Sequence, residues 1–329
     1  MAKNKANTSQ WEIPYESGLI EWNLNNVHTA QLYVNFKYLS DYLSKQNTAV
    51  KDLFESGFLN INIYNGANLS FAGFLADVSY NKYAAGDFNV NLGVKSWLAY
   101  FENRLYSGSF TATDQGQIAW SAINAVNDIG LTQGTITATK NRDRTYKYDN
   151  VQKIVTHLSN NEILQGFEFD ISNQKVFSAG SRIGIDRPTI IFDEHNIIEY
   201  TLDVGLVGKI FNKGYILGGG IGDTQIVRSY DAGNSYVNNW YRLEGLIQDV
   251  NVEETVNLDD KVQNFITQMK DPVRKLKIKA EVNSPLISLY SVGDGVRVVL
   301  PDVSINEIKR IEKKSVYFGA EEYVTLEFM

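Results

Sequence analysis

The stretch Leu59-Asn60-Ile61-Asn62-Ile63-Tyr64-Asn65-Gly66 decides how this chain is read. Its aliphatic residues fall at every second position, the period of a strand with one buried face. Asn65-Gly66 then supplies the residue pair that accepts the backbone angles of a tight hairpin. A return strand is expected over 69–78, interrupted at Gly73. Ala85-Gly86-Asp87 makes the next turn, and Phe88, Val90 and Leu92 resume the alternation. The stretch is a meander. Upstream, Leu32, Val34 and Phe36 share one face of a strand over 31–36, so the first third reads as β. Such a meander is expected to close into a barrel or sandwich.

The same order recurs at the other end of the chain. Over 293–328, strand, turn, strand, turn and alternating strand fill as many positions as they do over 57–92. The strands there are 296–300, 305–311 and 323–328, preceded by Leu276-Lys277-Ile278-Lys279-Ala280-Glu281-Val282. Residue identity between the two stretches is negligible, so the pattern alone is shared. It predicts two similar β domains, one at each end.

The middle of the chain changes period. Asp114 is placed to cap a helix in which Ile118, Ala119, Ala122, Ile123 and Val126 form one face, with Trp120 on its flank. A second helix is predicted over 150–159 from Val151, Ile154, Val155 and Leu158. Lys140-Asn141-Arg142-Asp143-Arg144 between them reads as an exposed loop. Strands resume at Gly166-Phe167-Glu168-Phe169-Asp170-Ile171, Arg187-Pro188-Thr189-Ile190-Ile191-Phe192 and 197–202. A glycine-punctuated stretch over 204–222 follows. Val262, Phe265, Ile266 and Met269 then mark a helix at about 258–270, ended by Asp271-Pro272. The expected fold is α+β, mostly β. A first β-barrel covers 1–104, an inserted mixed α/β domain 105–200, and a second β-barrel 201–329.

Composition narrows the function. A hydrophobic share of 43% with 21% charged residues suits a folded chain. Nineteen Tyr, sixteen Phe and 25 Gly against five Pro lean towards strands and turns. Cysteine is absent, which excludes disulfides, thiol nucleophiles and cysteine-based zinc sites. A net charge of −7 argues against gripping nucleic acid through its phosphates, though DNA can still pass nearby. No run of about 18 apolar residues offers a membrane span. The N-terminal Met1-Ala2-Lys3-Asn4-Lys5-Ala6-Asn7-Thr8-Ser9 lacks the apolar core of a signal peptide, so synthesis in a cytoplasm is expected.

Motifs for chemistry are missing. His28, His157 and His195 have no spacing that puts two on one helical face as metal ligands. In Asp193-Glu194-His195 the neighbours diverge along a strand or turn. Gly218-Gly219-Gly220-Ile221-Gly222 resembles a phosphate cradle, but the extended Asp223-Thr224-Gln225-Ile226-Val227-Arg228 follows it instead of a helix. The glycines are read as a bend, a bulge or a close approach. Glu253-Glu254, Asp259-Asp260 and Glu321-Glu322 are adjacent surface acids, and nothing selects any of them as a glycosidase pair. Residues 142–147 mix Arg, Tyr and Lys, yet Asp143 dilutes a nucleic-acid platform. No catalytic, metal or cofactor residue is assigned, and no enzyme activity is expected.

Several stretches, taken in order, carry a resemblance. Phe71-Ala72-Gly73-Phe74-Leu75-Ala76-Asp77-Val78, Asp114-Gln115-Gly116-Gln117-Ile118-Ala119-Trp120, residues 146–158 with Gly166-Phe167-Glu168-Phe169-Asp170, and Val292-Gly293-Asp294-Gly295-Val296 are similar to segments of the gp27-like baseplate hub proteins. That family includes the siphophage tail-tip proteins of the Gp37-like kind. The chain departs from it at Gly184-Ile185-Asp186-Arg187-Pro188, where the family has a Gly-Arg-Asp-like turn.

The resemblance implies a structural protein of the virion, at the phage tail tip. It implies a homotrimer that adapts a sixfold tail tube to a threefold spike or fibre and leaves a channel for DNA. Its implied partners are a distal tail protein or tail-tube ring above, a central fibre or spike protein below and the tape measure protein in the lumen. DNA would pass without sequence-specific binding, along a lumen richer in Asp and Glu than in Lys and Arg. Three alternatives stand beside it. One is a receptor- or carbohydrate-binding tail protein using Tyr236, Trp240 and Tyr241. The others are a tail-associated cell-wall hydrolase and the hub of a contractile injection system.

Overall fold

The computed structural model describes residues 2–4, 10–55, 58–65, 68–82, 88–137, 139–159, 166–205, 210–220, 222–248 and 255–328. The N-terminal strands are β1 (Ala2–Asn4), β2 (Gln10–Trp11), β3 (Ser17–Asn23) and β4 (Thr29–Asn35). Helices α1 (Phe36–Ser44) and α2 (Val50–Glu55) precede β5 (Leu59–Asn65), β6 (Asn68–Lys82) and β7 (Phe88–Lys95). A 3-10 helix, Trp97–Asn103, leads into β8 (Leu105–Asp114), α3 (Gln115–Ala125), β9 (Thr132–Ile136), β10 (Asn141–Asn150) and α4 (Val151–Leu158).

Next come β11 (Glu168–Ile171), β12 (Val176–Gly180), β13 (Asp186–Phe192) and β14 (Ile197–Gly205). The small sheet of β15 (Lys213–Leu217), β16 (Val227–Asp231) and β17 (Glu244–Gln248) carries the helix Thr255–Met269 on one side. The chain ends in β18 (Val273–Glu281), β19 (Gly295–Leu300), β20 (Ile305–Phe318) and β21 (Tyr323–Phe328).

The predicted meander forms. Leu59, Ile61 and Ile63 are buried on one face of β5, and Asn65 pairs with Asn68 across the hairpin. Gly66 and the turn at 85–87 lie outside the described residues. Gly73 is required by packing, because a Cβ there would overlap the Lys95 carbonyl. The first third is not β alone. Phe36 does not continue the strand; it opens α1, because the Asn35 side chain accepts from the Lys37 and Tyr38 amides and turns the backbone. Leu39 and Leu43, one helical turn apart, are then buried together.

One sheet joins both ends of the chain. Its strand order is β14-β18-β21-β20-β3-β4-β7-β6-β5-β1-β2, with β13 and β19 attached through β20. The pairings form an open path, and no closed barrel is seen among the described residues. The joint is β20 against β3. Trp22 sits beneath it and packs on both flanking cores, one around Leu32, Leu39 and Leu92, the other around Phe192, Ile278 and Leu326.

The two halves of the sheet repeat. β6 pairs first with β5 and then, from Phe74 on, with β7. β20 pairs first with β19 and then, from Ile311 on, with β21. Each long strand carries a bulge just past the change of partner, between Leu75 and Asp77 in one and between Ile311 and Lys313 in the other. These positions coincide when 57–92 is laid on 293–328. The neighbours correspond as well. Ala30, Leu32 and Val34 of β4 point into one core as Leu276, Ile278 and Ala280 of β18 point into the other. The sheet is therefore β14-β18-β21-β20 followed by its counterpart β3-β4-β7-β6.

The middle of the chain has its own core, built from α3, α4, the 3-10 helix and β11–β12. Asp114 caps α3 as predicted, and Ile118, Ala119, Ala122 and Ile123 are buried. Asn150 caps α4. The loop expected at 140–144 is instead the start of β10, which pairs with β8 and buries Arg142. The domain boundary expected after residue 200 falls inside β14, which pairs along its length with β18, while β13 pairs with β19. Both strands thus belong to the C-terminal end of the sheet.

Candidate assembly interface

Most residues singled out for chemistry serve the structure. His28 accepts from the Asn23 amide at Nδ1, 3.1 Å away, which leaves the proton on Nε2 to meet Asp170 at 3.2 Å. Nearby, Asn25 accepts from the Phe169 amide, and Asn173 binds the backbone of Ser70 and Ala72. These contacts pin the β11–β12 hairpin to the N-terminal end of the sheet. His157 is exposed on α4, and the His195 amide closes a turn onto Asp193. Among the described residues no group of three His, Asp or Glu could hold a metal ion.

The glycine run is a loop between β15 and β16, closed by the Gly218 amide donating to the Ile226 carbonyl at 2.7 Å. Ile221 lies outside the described residues, as do Glu253 and Glu254. Asp259 holds Arg228 through two bonds of 2.9 Å, and Asp260 faces Lys140 at 3.6 Å. Glu321 and Glu322 are exposed at the β20–β21 turn. Tyr236 is engaged by Lys270, whose Nζ donates to its hydroxyl at 2.9 Å, while Tyr241 is exposed. The Trp240 side chain is not among those described.

The signal that sequence reasoning missed is a pair of buried carboxylates at one junction. Glu168, with a side chain 5% exposed, forms a two-pronged ion pair with Arg310 and accepts from the Ile183 amide at 2.6 Å. Asp294, 3% exposed, accepts from the Ile185 and Ser291 amides and from Arg187 Nε at 2.8 Å. Arg310 also donates to the Gly293 carbonyl. The Gly-Ile-Asp and Gly-Asp-Gly motifs are thus one feature. Gly184 and Gly293, both at positive φ, lie back to back with no room for a Cβ. The junction locks the mixed core to the C-terminal end of the sheet.

Two surfaces stand out among the described residues. The face of the long sheet turned away from its cores is polar. It presents Glu199 and Asp203, then Lys275, Lys277, Lys279 and Glu281, then Glu327, Lys313, Glu21, Lys95 and Asp77 across neighbouring strands. Its charges are partly paired: Lys313 lies 2.6 Å from Glu21 and Lys277 3.6 Å from Glu327. Desolvation raises the Glu21 carboxyl, but the hydrogen bond and charge of Lys313, with hydrogen bonds from Ser315 and Thr29, together outweigh it and hold the group below its usual range. The second surface is the sheet's unpaired edges. Among the described residues β14 pairs only with β18, and β6 beyond Phe74 only with β7. A groove of about 650 Å³ beside that part of β6 is floored by Phe36, Tyr80 and Phe88 and rimmed by Ser40, Ser44 and Asn47.

No family model and no curated protein sequence matches the chain. Solved structures do. The 43 kDa tail protein of prophage MuSo2 from Shewanella oneidensis superposes with a TM-score of 0.71 at 11% identity, over 96% of this chain and 94% of that one. The prophage tail protein gp18 from Listeria monocytogenes gives 0.63 at 12%, over 99% and 93%. The E. coli c3393 protein gives 0.58 at 8%, over 98% of this chain and 75% of that one. It is described as a type VI secretion component with structural similarity to the T4 phage tail proteins gp27 and gp5. The chain thus shares its fold with solved phage tail proteins and with a protein described as structurally similar to gp27 and gp5. No helix of the described residues is long and apolar enough to cross a membrane.

Proposed function

We propose that the chain is a non-enzymatic structural protein of a phage tail tip, a baseplate hub that acts in the virion as a homotrimeric ring. The observation that carries this reading is the repeat within the sheet. One chain offers two similar four-stranded units side by side, so three chains would offer six. A sixfold tail tube above could then bind equivalent surfaces, while a spike or fibre below meets threefold symmetry. In this reading the tube-forming units are the two β ends and the mixed core braces them from outside. The neighbours would be a distal tail protein or tube ring, a central fibre or spike, and the tape measure protein within.

The polar face of the sheet is the natural wall of the channel. Its six carboxylates and five lysines, named above, nearly balance with a small acidic excess. Such a wall gives a sliding polyanion no continuous basic track to bind. The test is the mass of the purified 37.1 kDa chain in solution by light scattering. A threefold species is expected, and a dimer or tetramer as the stable form would overturn the reading. One observation favours a second reading, a glycan-binding tail protein: the aromatic-floored groove with its hydroxyl and amide rim. Retention of the chain on a glycan array, lost on Tyr80→Ala, would move the assignment there.

A further inference from the structure

The repeat predicts more than a stoichiometry, because its internal joint is visible residue by residue. There β20 pairs antiparallel with β3, from Lys313 opposite Asn23 to Phe318 opposite Gly18. In the repeat, β6 is the counterpart of β20, and β14 is the counterpart of β3. Among the described residues these are the two strands left with an unpaired edge at the ends of the eight-strand path. A long edge strand with free amides and carbonyls is a template for pairing and is normally covered.

We propose that β6 of one copy pairs with β14 of a second copy in the register of the internal joint. This rests on the ring reading and supplies its seam. Carrying each residue across the repeat sets Ser79 opposite Asp203 of the second copy and Asn81 opposite Thr201, on the polar face. On the core face it sets Val78 opposite Val204 and Tyr80 opposite Leu202. Three features support that register. Tyr80 and Val204 are 42% and 45% exposed in the single chain, and the pairing covers both. Ser79 against Asp203 repeats the internal contact of Ser315 with Glu21, where the hydroxyl lies 3.2 Å from the carboxylate. Inward and outward residues match, so neither core face is turned to solvent. One feature is not repeated. Asp77 stands where Lys313 stands, so the Lys313–Glu21 ion pair has no counterpart at the seam, which makes it the weaker joint and the one that opens.

The absence of native cysteine makes the test clean. A Ser79→Cys chain is mixed with an Asp203→Cys chain, oxidised mildly and run on a non-reducing gel, with light scattering on the same sample. Disulfide-linked pairs are expected. The shifted combination, Asn81→Cys with Gly205→Cys, should yield roughly tenfold less, because its Cβ atoms lie beyond disulfide reach. Trimers that cross-link only in the shifted combination, or in neither, would overturn the register and leave the ring standing. Chains that stay monomeric at every concentration and never cross-link would overturn both.

Discussion

Glu168 and Arg310 meet from strands in different cores, and the energetic logic of such a pair is asymmetric. Removing one partner strands the other charge in a site closed to water, at a cost of about 3–5 kcal/mol, whereas replacing both with apolar groups costs much less. Arg310→Met should therefore lower the thermal midpoint sharply, and the double variant Glu168→Leu/Arg310→Met should recover most of the loss. Equal loss in both would show that the pair is not the lock described here. Lys314 poses a different problem. It is buried, donates to the Ile287 and Tyr290 carbonyls, and lies over the Trp22 and Tyr290 rings.

Desolvation by burial pushes its ammonium down to about 8. A lysine whose folded pKa lies below its unfolded value of 10.5 carries a charge penalty in full below pH 8. The penalty is relieved as the pH rises to the unfolded value, since the unfolded chain then holds more protons. Urea unfolding at pH 7.5 and pH 10 should show wild type gaining on Lys314→Met, by up to about 3 kcal/mol. A difference that does not change with pH would rule this out. None of these roles was legible beforehand, because a buried carboxylate or lysine looks like any surface charge until its partner is known, 142 residues away for Glu168 and 24 to 27 for Lys314.

At the scale of elements, the sequence signals that worked were those with a local cause. Asp114 announced its helix as a cap and the spacing of Val151, Ile154, Val155 and Leu158 announced the next; the Asp114 and Asn150 side chains both accept from amides of the first turn. Asp114→Ala should cost about 1 kcal/mol in a urea titration. Asn35 carried the same signal and was overridden by the β alternation of Leu32 and Val34, which runs straight into it. The strand at 141–150 was misread for another reason. Its inward residues are Arg142, Arg144 and Tyr146, alternating in period two, but arginines on the inward face hide the apolar alternation that marks a strand, even where one of them, Arg142, is buried.

The bulges make the strongest prediction here. Glu312 is the extra residue of β20: through it Ile311 and Lys314, three positions apart, are both buried, so deleting it would remove the bulge and leave every later side chain on its own face. Inserting one alanine after Glu312 should instead turn the later side chains to the opposite face and abolish the cooperative unfolding transition seen by circular dichroism, while Glu312→Ala should shift stability by no more than about 0.5 kcal/mol. An insertion variant that folds normally would remove the bulge from the account.

At the scale of the whole molecule, the pattern shared by 57–92 and 293–328 foretold two related β ends, and the coincident bulges give that likeness a structural basis. Their union in one sheet was not foretold. Pairing between β3 and β20 depends on long-range contacts such as Trp22 beneath the joint, for which a local period carries no information. That union fixes the relation of the two units within a chain, and in the proposed ring it leaves one joint per chain to be made by assembly. The central claim is a ring built from six similar units in three chains. Negative-stain microscopy of the purified chain tests it most directly. The account predicts class averages with threefold symmetry, a central opening and six lobes on one face; closed particles of another symmetry, or solid particles with no opening, would contradict it.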